Sequence, residues 1–164
     1  MNTYRALNLV IVLLVVISML FAIYYLEGVL YLDPCPLCMV DRGILVAIAI
    51  VCFVAFIHNS KGIMRWIYSG LAGLCGIVGM GVAARHIWLQ GLPPDQVPEC
   101  GPDLSYMLDV FPLGDVIKRI FTGSGQCAEV SWTFIGLTIP QQTLFLFILL
   151  FLLVVIAHIK SNHQ

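Results

Sequence analysis

The chain has 164 residues, of which 60% are hydrophobic and 10% charged, and its mean hydropathy is +0.99. A soluble domain carries about 45–50% apolar and about 25% charged residues, so this chain has too little polar surface to cover a water-soluble globule. The length fits one domain, and a net charge of −1 leaves no basic field to hold nucleic acid. The composition is that of a small integral membrane protein.

The first uncharged apolar run covers residues 7–26, the length a helix needs to cross roughly 30 Å of hydrocarbon. Arg5 precedes it, as in a signal peptide, but signal peptides have apolar cores of only about 7–15 residues. Tyr24 and Tyr25 close the run, so a retained helix is expected. The second run, 43–57, reaches spanning length as a helix over about 38–57; the third covers 66–84, and the fourth, 143–157, extends to about 140–158. Trp66, Trp88 and Trp132 lie near the ends of these runs, where interfacial aromatics belong. In the third, Gly70, Gly73, Gly76 and Gly79 recur at helical spacing, which lets helix backbones approach closely.

These runs predict an all-α membrane protein, a bundle of four transmembrane helices with both termini on one side. Two loops then face the other side, covering about 27–37 and 85–139. Arg5, Lys61, Arg65 and Lys160 are packed densely into the short segments on the side of the termini. Arg42, Arg85, Lys118 and Arg119 are spread over the long loops, which also take the acids. Cytoplasmic termini are expected on that density. Within the second loop, Leu113, Val116, Ile117, Ile120 and Phe121 recur opposite Asp115, Lys118 and Arg119. This pattern predicts a short amphipathic helix, lying on the membrane surface or capping the bundle.

Of the six cysteines, Cys52 and Cys75 fall inside runs, where cysteine acts as a small apolar residue. Cys35, Cys38, Cys100 and Cys127 all fall in the outward loops, and an even number suits pairing in an oxidising compartment. Cys35-Pro36-Leu37-Cys38 opens the second helix, where free N–H groups and the helix dipole favour thiolate. A disulfide closing so short a ring gains little stability and exchanges readily. Cys100 and Cys127 would close a loop of about 28 residues, which as a plain staple contributes roughly 3.5 kcal/mol. A zinc site of four cysteines usually has two short-spaced pairs, and only one exists, so no metal is expected. Arg42, one turn after Cys38, either snorkels to water or stabilises an anion there. Arg85-His86 ends the third run on the same side of the membrane.

Taken together, these residues resemble the disulfide bond formation protein B family of bacterial inner membranes. The resemblance rests on Cys-Pro-Leu-Cys opening the second run with Arg42 four residues later, and on residues 84–90, Ala-Arg-His-Ile-Trp-Leu-Gln. It also rests on Glu99-Cys100-Gly101-Pro102 and on residues 121–129 around Cys127. Asp41 departs from it, standing where the pattern has Gln or Glu. The resemblance implies an enzyme that reoxidises a periplasmic thioredoxin-fold dithiol oxidase and passes the electrons to membrane quinone (ubiquinone or menaquinone), the couple known to keep the periplasm oxidising. It implies redox-active pairs Cys35–Cys38 and Cys100–Cys127, with Cys100 meeting the partner and Cys38 facing the quinone. Arg42 and His86 would polarise the quinone oxygen. Two other readings stand beside it: a quinone reductase of the vitamin K epoxide type, and a non-catalytic scaffold with a stapled loop.

Overall fold

In this computed structural model, residues 3–59, 61–93, 95–97, 104–122 and 125–162 are described. Helix α1 covers Thr3–Leu20 and continues as a π-helical segment, Phe21–Glu27. Helix α2 covers Pro36–His58 and α3 covers Ile63–Gln90. Three short helices follow, α4 (Leu104–Val110), α5 (Leu113–Thr122) and α6 (Gly125–Ala128). A small antiparallel hairpin, β1 (Thr133–Phe134) with β2 (Leu137–Thr138), leads into α7, Ile139–Asn162.

Among the described residues, four helices are long and apolar enough to span a membrane: Thr3–Glu27, Pro36–His58, Ile63–Gln90 and Ile139–Lys160. They close a ring in which α1 and α3 each pack against both α2 and α7. The protein is a helical membrane protein of four spans. Every helix is longer than its apolar run. At the first, Tyr4 and Asn8 turn inward and are buried, and Asn8 Nδ2 donates to the Tyr4 carbonyl, so the helix starts before the apolar run. Arg5 then donates from Nε to the Phe56 carbonyl at 3.0 Å. The largest extension is at the end of α3, which continues past residue 84 to Gln90. Arg85 and His86 therefore lie within the helix and do not terminate it. The third helix runs on because His86 and Leu89 are buried, so its inner face remains covered.

The core lies on the ring axis, where Ile11, Val15, Ile48, Cys52, Phe147 and Leu150 are buried together. Ile17, Ile50, Leu74 and Leu152 point outward and are exposed, as lipid-facing side chains are. Cys52 and Cys75 are unpaired thiols belonging to this packing. Gly73, Gly76 and Gly79 are buried on the α3 face that meets Phe147 and Phe151 of α7, while Gly70 is exposed. The turn between α2 and α3 has Asn59 at φ 45° and Gly62 at φ 57°, left-handed positions that asparagine and glycine tolerate.

The long loop folds over one end of the ring. Val116 of α5 is buried and α5 touches α2, so this helix covers the bundle, while Leu113 is exposed. The side chains of Ile117, Arg119, Ile120 and Phe121 lie outside the described residues. The hairpin was not expected; it turns through Ile135-Gly136, both at positive φ, as tight two-residue hairpin turns require.

The glycine face yields a contrast that can be measured. A Cβ on Gly79 would collide with the Phe147 ring, whereas one on Gly76 would meet Phe151 at 3.6 Å, ordinary contact. Gly79→Ala should therefore destabilise the detergent-solubilised protein by about 1–3 kcal/mol, the usual result of overpacking. Gly76→Ala should be neutral or stabilising, because alanine favours helix. Denaturant unfolding of the two variants checks this, and Phe147→Leu should rescue only Gly79→Ala.

Candidate redox site

The first turn of α2 is shaped by its own cysteines. Cys35 is the N-cap, extended at φ −67° and ψ 161°, and its sulfur accepts from the Cys38 amide at 3.4 Å. A sulfur thus fills the place that a serine or aspartate oxygen takes at most helix starts. Pro36 occupies the first helical position, where a missing N–H costs nothing. This arrangement brings Cys38 Sγ back to 3.0 Å from Cys35 Sγ.

Two other elements meet Cys35. His86, buried near the end of α3, has Nε2 3.7 Å from Cys35 Sγ. Cys127, in α6, is 1% exposed, and its sulfur, Cys35 Sγ and a His86 nitrogen all lie within 4.8 Å of one another. The sequence puts Cys127 in an outward loop; α6 packs against α3 and seats it in the bundle top beside Leu37, Val82 and Leu89. Cys100, and with it the expected Cys100–Cys127 pairing, lies outside the described residues. Cys35 and Cys38 are free thiols here. Hydrogen bonding with Cys127 and then with Cys38, together with burial, pushes the Cys35 thiol above its ordinary range. Cys35 is therefore the junction, one sulfur within reach of two others. His86 thus joins Cys35 and Cys127 in one buried group, a grouping that cysteine spacing alone did not show.

Beside the junction, a cavity of about 450 Å³ opens between the spanning helices. Cys38, Asp41, Arg42, His86 and Gln90 line its polar wall; Ile17, Phe21, Leu26, Leu45 and Leu146 line the apolar one. Its size is within the range of small-molecule sites, about 300–1,000 Å³. The π-helical segment borders it and explains its width, since π turns are wider than α turns and concentrate at functional sites. Glu27, at the end of that segment, forms an ion pair with Arg42. Trp132 closes part of the rim and stacks on Phe134, with ring centroids 5.9 Å apart.

Sequence reading placed Cys35, Cys38, Arg42 and His86 at one level, and the fold brings all four to this cavity. It missed Glu27, since nothing in sequence pairs residues fifteen apart across a π turn. It noted Asp41 only as a departure from a pattern, although a charged residue inside a membrane span is itself a signal.

The junction geometry can be tested by cross-linking. In a protein carrying Cys38→Ser and Cys100→Ser, mild oxidation should join Cys35 to Cys127, seen as a linked peptide pair by mass spectrometry. Cys52 and Cys75 should remain unlinked. Absence of the Cys35–Cys127 peptide would refute the placement of α6.

With the geometry in place, comparison with known proteins identifies the family. The family model described as disulfide bond formation protein DsbB matches residues 4–157. A disulfide bond formation protein B from Acinetobacter baumannii is 46% identical over 152 residues, 92% of this chain and 88% of that protein. Those from Saccharophagus degradans and Acinetobacter baylyi are 47% and 45% identical, covering 80% and 93% of this chain and 80% and 90% of their own lengths. A four-span membrane helix bundle carrying a Cys-x-x-Cys junction, this chain belongs to the disulfide bond formation protein DsbB family.

Proposed function

We propose that the chain reoxidises a thioredoxin-fold dithiol protein in the bacterial periplasm and delivers the electrons to a quinone of the inner membrane. The observation that carries this reading is the position of Cys35, beside Cys127 on one side and Cys38 on the other, at the edge of a cavity between membrane helices. Membership of a disulfide-forming family supports the redox role. Cys35, Cys38 and Cys127 lie at the end of the bundle away from the termini, and the charge distribution favours that end as the periplasmic one.

Each exchange moves two electrons between sulfurs. The partner's dithiol reduces the Cys100–Cys127 disulfide, leaving two thiols and an oxidised partner. Those thiols in turn reduce Cys35–Cys38, restoring the loop disulfide and leaving the Cys-x-x-Cys as a dithiol. Every step needs an attacking thiolate and a leaving sulfur, and protons follow the charge. His86, at 3.7 Å, holds or passes a proton at Cys35 Sγ. The residues present fit a quinone ring: an apolar wall for the ring face, and Arg42 and His86 for its polar edge. A bound quinone supplies a two-electron, two-proton acceptor beside Cys38. Arg42 is oriented by Glu27 and presents a planar guanidinium to this wall, where it favours anions.

The decisive experiment mixes purified protein with a reduced thioredoxin-fold partner and follows quinone absorbance. Quinone should be reduced in step with partner oxidation; with Cys38→Ser, one equivalent of partner should be oxidised and no quinone reduced. A protein that leaves both unchanged is a scaffold. In the same assay Arg42→Ala should raise the apparent KM for quinone roughly ten- to a hundredfold, equivalent to one charge-assisted contact of about 1.5–3 kcal/mol. Arg42→Lys should recover part of it, and unchanged quinone kinetics would reduce Arg42 to a structural partner of Glu27.

A further inference from the structure

Asp41 is the one buried acid among the described residues, and the electron path above does not use it. It follows Cys38 by three residues on α2, so the two side chains share a helix face. Its side chain is 4% exposed and lines the cavity with Cys38, Arg42 and His86. Its Oδ1 has no hydrogen-bond partner among the described residues. Arg42, next to it in sequence, pairs with Glu27 instead. Buried carboxyl oxygens are seldom left unpartnered, because nothing then offsets their lost hydration.

We propose that Asp41 and Cys38 hold one proton between them, which makes Asp41 the acceptor of the Cys38 thiol proton when that sulfur ionises. The functional reading above supplies the purpose, since the dithiol must lose protons as well as electrons, but the sharing itself rests on placement. The exchange is a plain proton transfer. The S–H bond of Cys38 breaks, an O–H bond forms on Asp41, the electron pair stays on sulfur, and the charge of the pair is unchanged. Two negative charges one helical turn apart in a poorly hydrated pocket repel strongly, so the pair does not readily give up both protons. Groups coupled in this way titrate in two steps that belong to the pair. The other ionisable groups around the pair are Cys35 and Arg42 from α2, His86 from α3, Cys127 from α6, Glu27 through Arg42, and Asp33 and Glu129 on the cavity lining.

The test uses the full-length protein in detergent, free of quinone and partner, with Cys38 as its only cysteine. Alkylation of Cys38 is followed from about pH 5 to about pH 11, a range that brackets carboxyl, imidazole and thiol groups in perturbed sites. The rate should rise in two steps separated by more than about one pH unit. Asp41→Asn should collapse the profile to a single step, and Asp41→Glu, which keeps a carboxyl group, should restore two. Should Asp41→Asn fail to fold, Asp41→Ser, also unable to ionise, is read in its place. A profile that superimposes on the parent's after Asp41 is replaced overturns the proposal, as does a second step that disappears only with His86→Gln. Without quinone or partner in the assay, these outcomes refute proton sharing and leave the functional reading standing. Failure of the quinone assay, in turn, leaves this readout intact.

Discussion

A helix that enters a membrane must satisfy its first N–H groups before it leaves water, because hydrocarbon offers none of the hydrogen bonds that water does. In α2 the Cys35 sulfur does this for the Cys38 amide. One contact therefore ends the loop, starts the span and sets the separation of two sulfurs. It also fixes their depth, at the edge of the cavity and under the cap formed by α6. The remaining site residues are placed relative to this turn: Asp41 and Arg42 by helical periodicity, His86 and Cys127 by the packing of α3 and α6.

The height of His86 depends on a second constraint, the seating of α3 on α7. Between these helices there is no hydrophobic gain to drive association in lipid, so close backbone approach and dispersion supply it. Gly79 lets the Phe147 ring lie against the α3 backbone, and the same face continues up to Val82 and His86. A packing feature at the centre of the bundle thus positions a polar group near its end.

Much of this was legible in the sequence because the bilayer imposes lengths and periodicities that a single chain displays. Four uncharged runs gave four spans, and proline inside Cys-x-x-Cys marked a helix start. The helix ends were less legible, since Tyr4 and His86 are polar residues that prolong helices by being buried, which depends on neighbours. In sequence Cys127 falls in a long outward loop, yet a four-residue helix carries it into the bundle top, a placement that depends on packing against distant residues. Asp41 shows the same limit. Its burial follows from the cavity wall, and that wall is assembled from residues distant in sequence. The ring of Trp132 meets Phe21 and Tyr25 of the π-helical segment, a contact between residues far apart in sequence.

The π-helical segment Phe21–Glu27 has a consequence for how such a chain can change through evolution. A wide turn accommodates extra chain within an otherwise α-helical path. Deleting one residue there would rotate everything beyond it by about 100°, carrying Glu27 away from Arg42 while every apolar side chain kept its lipid-compatible character. Substitutions at its outward positions, Ile23 and Tyr24, are cheap, since one greasy residue serves lipid as well as another, but its length is held by the ion pair at its end. That face of the segment is free in composition, and the segment is fixed in number.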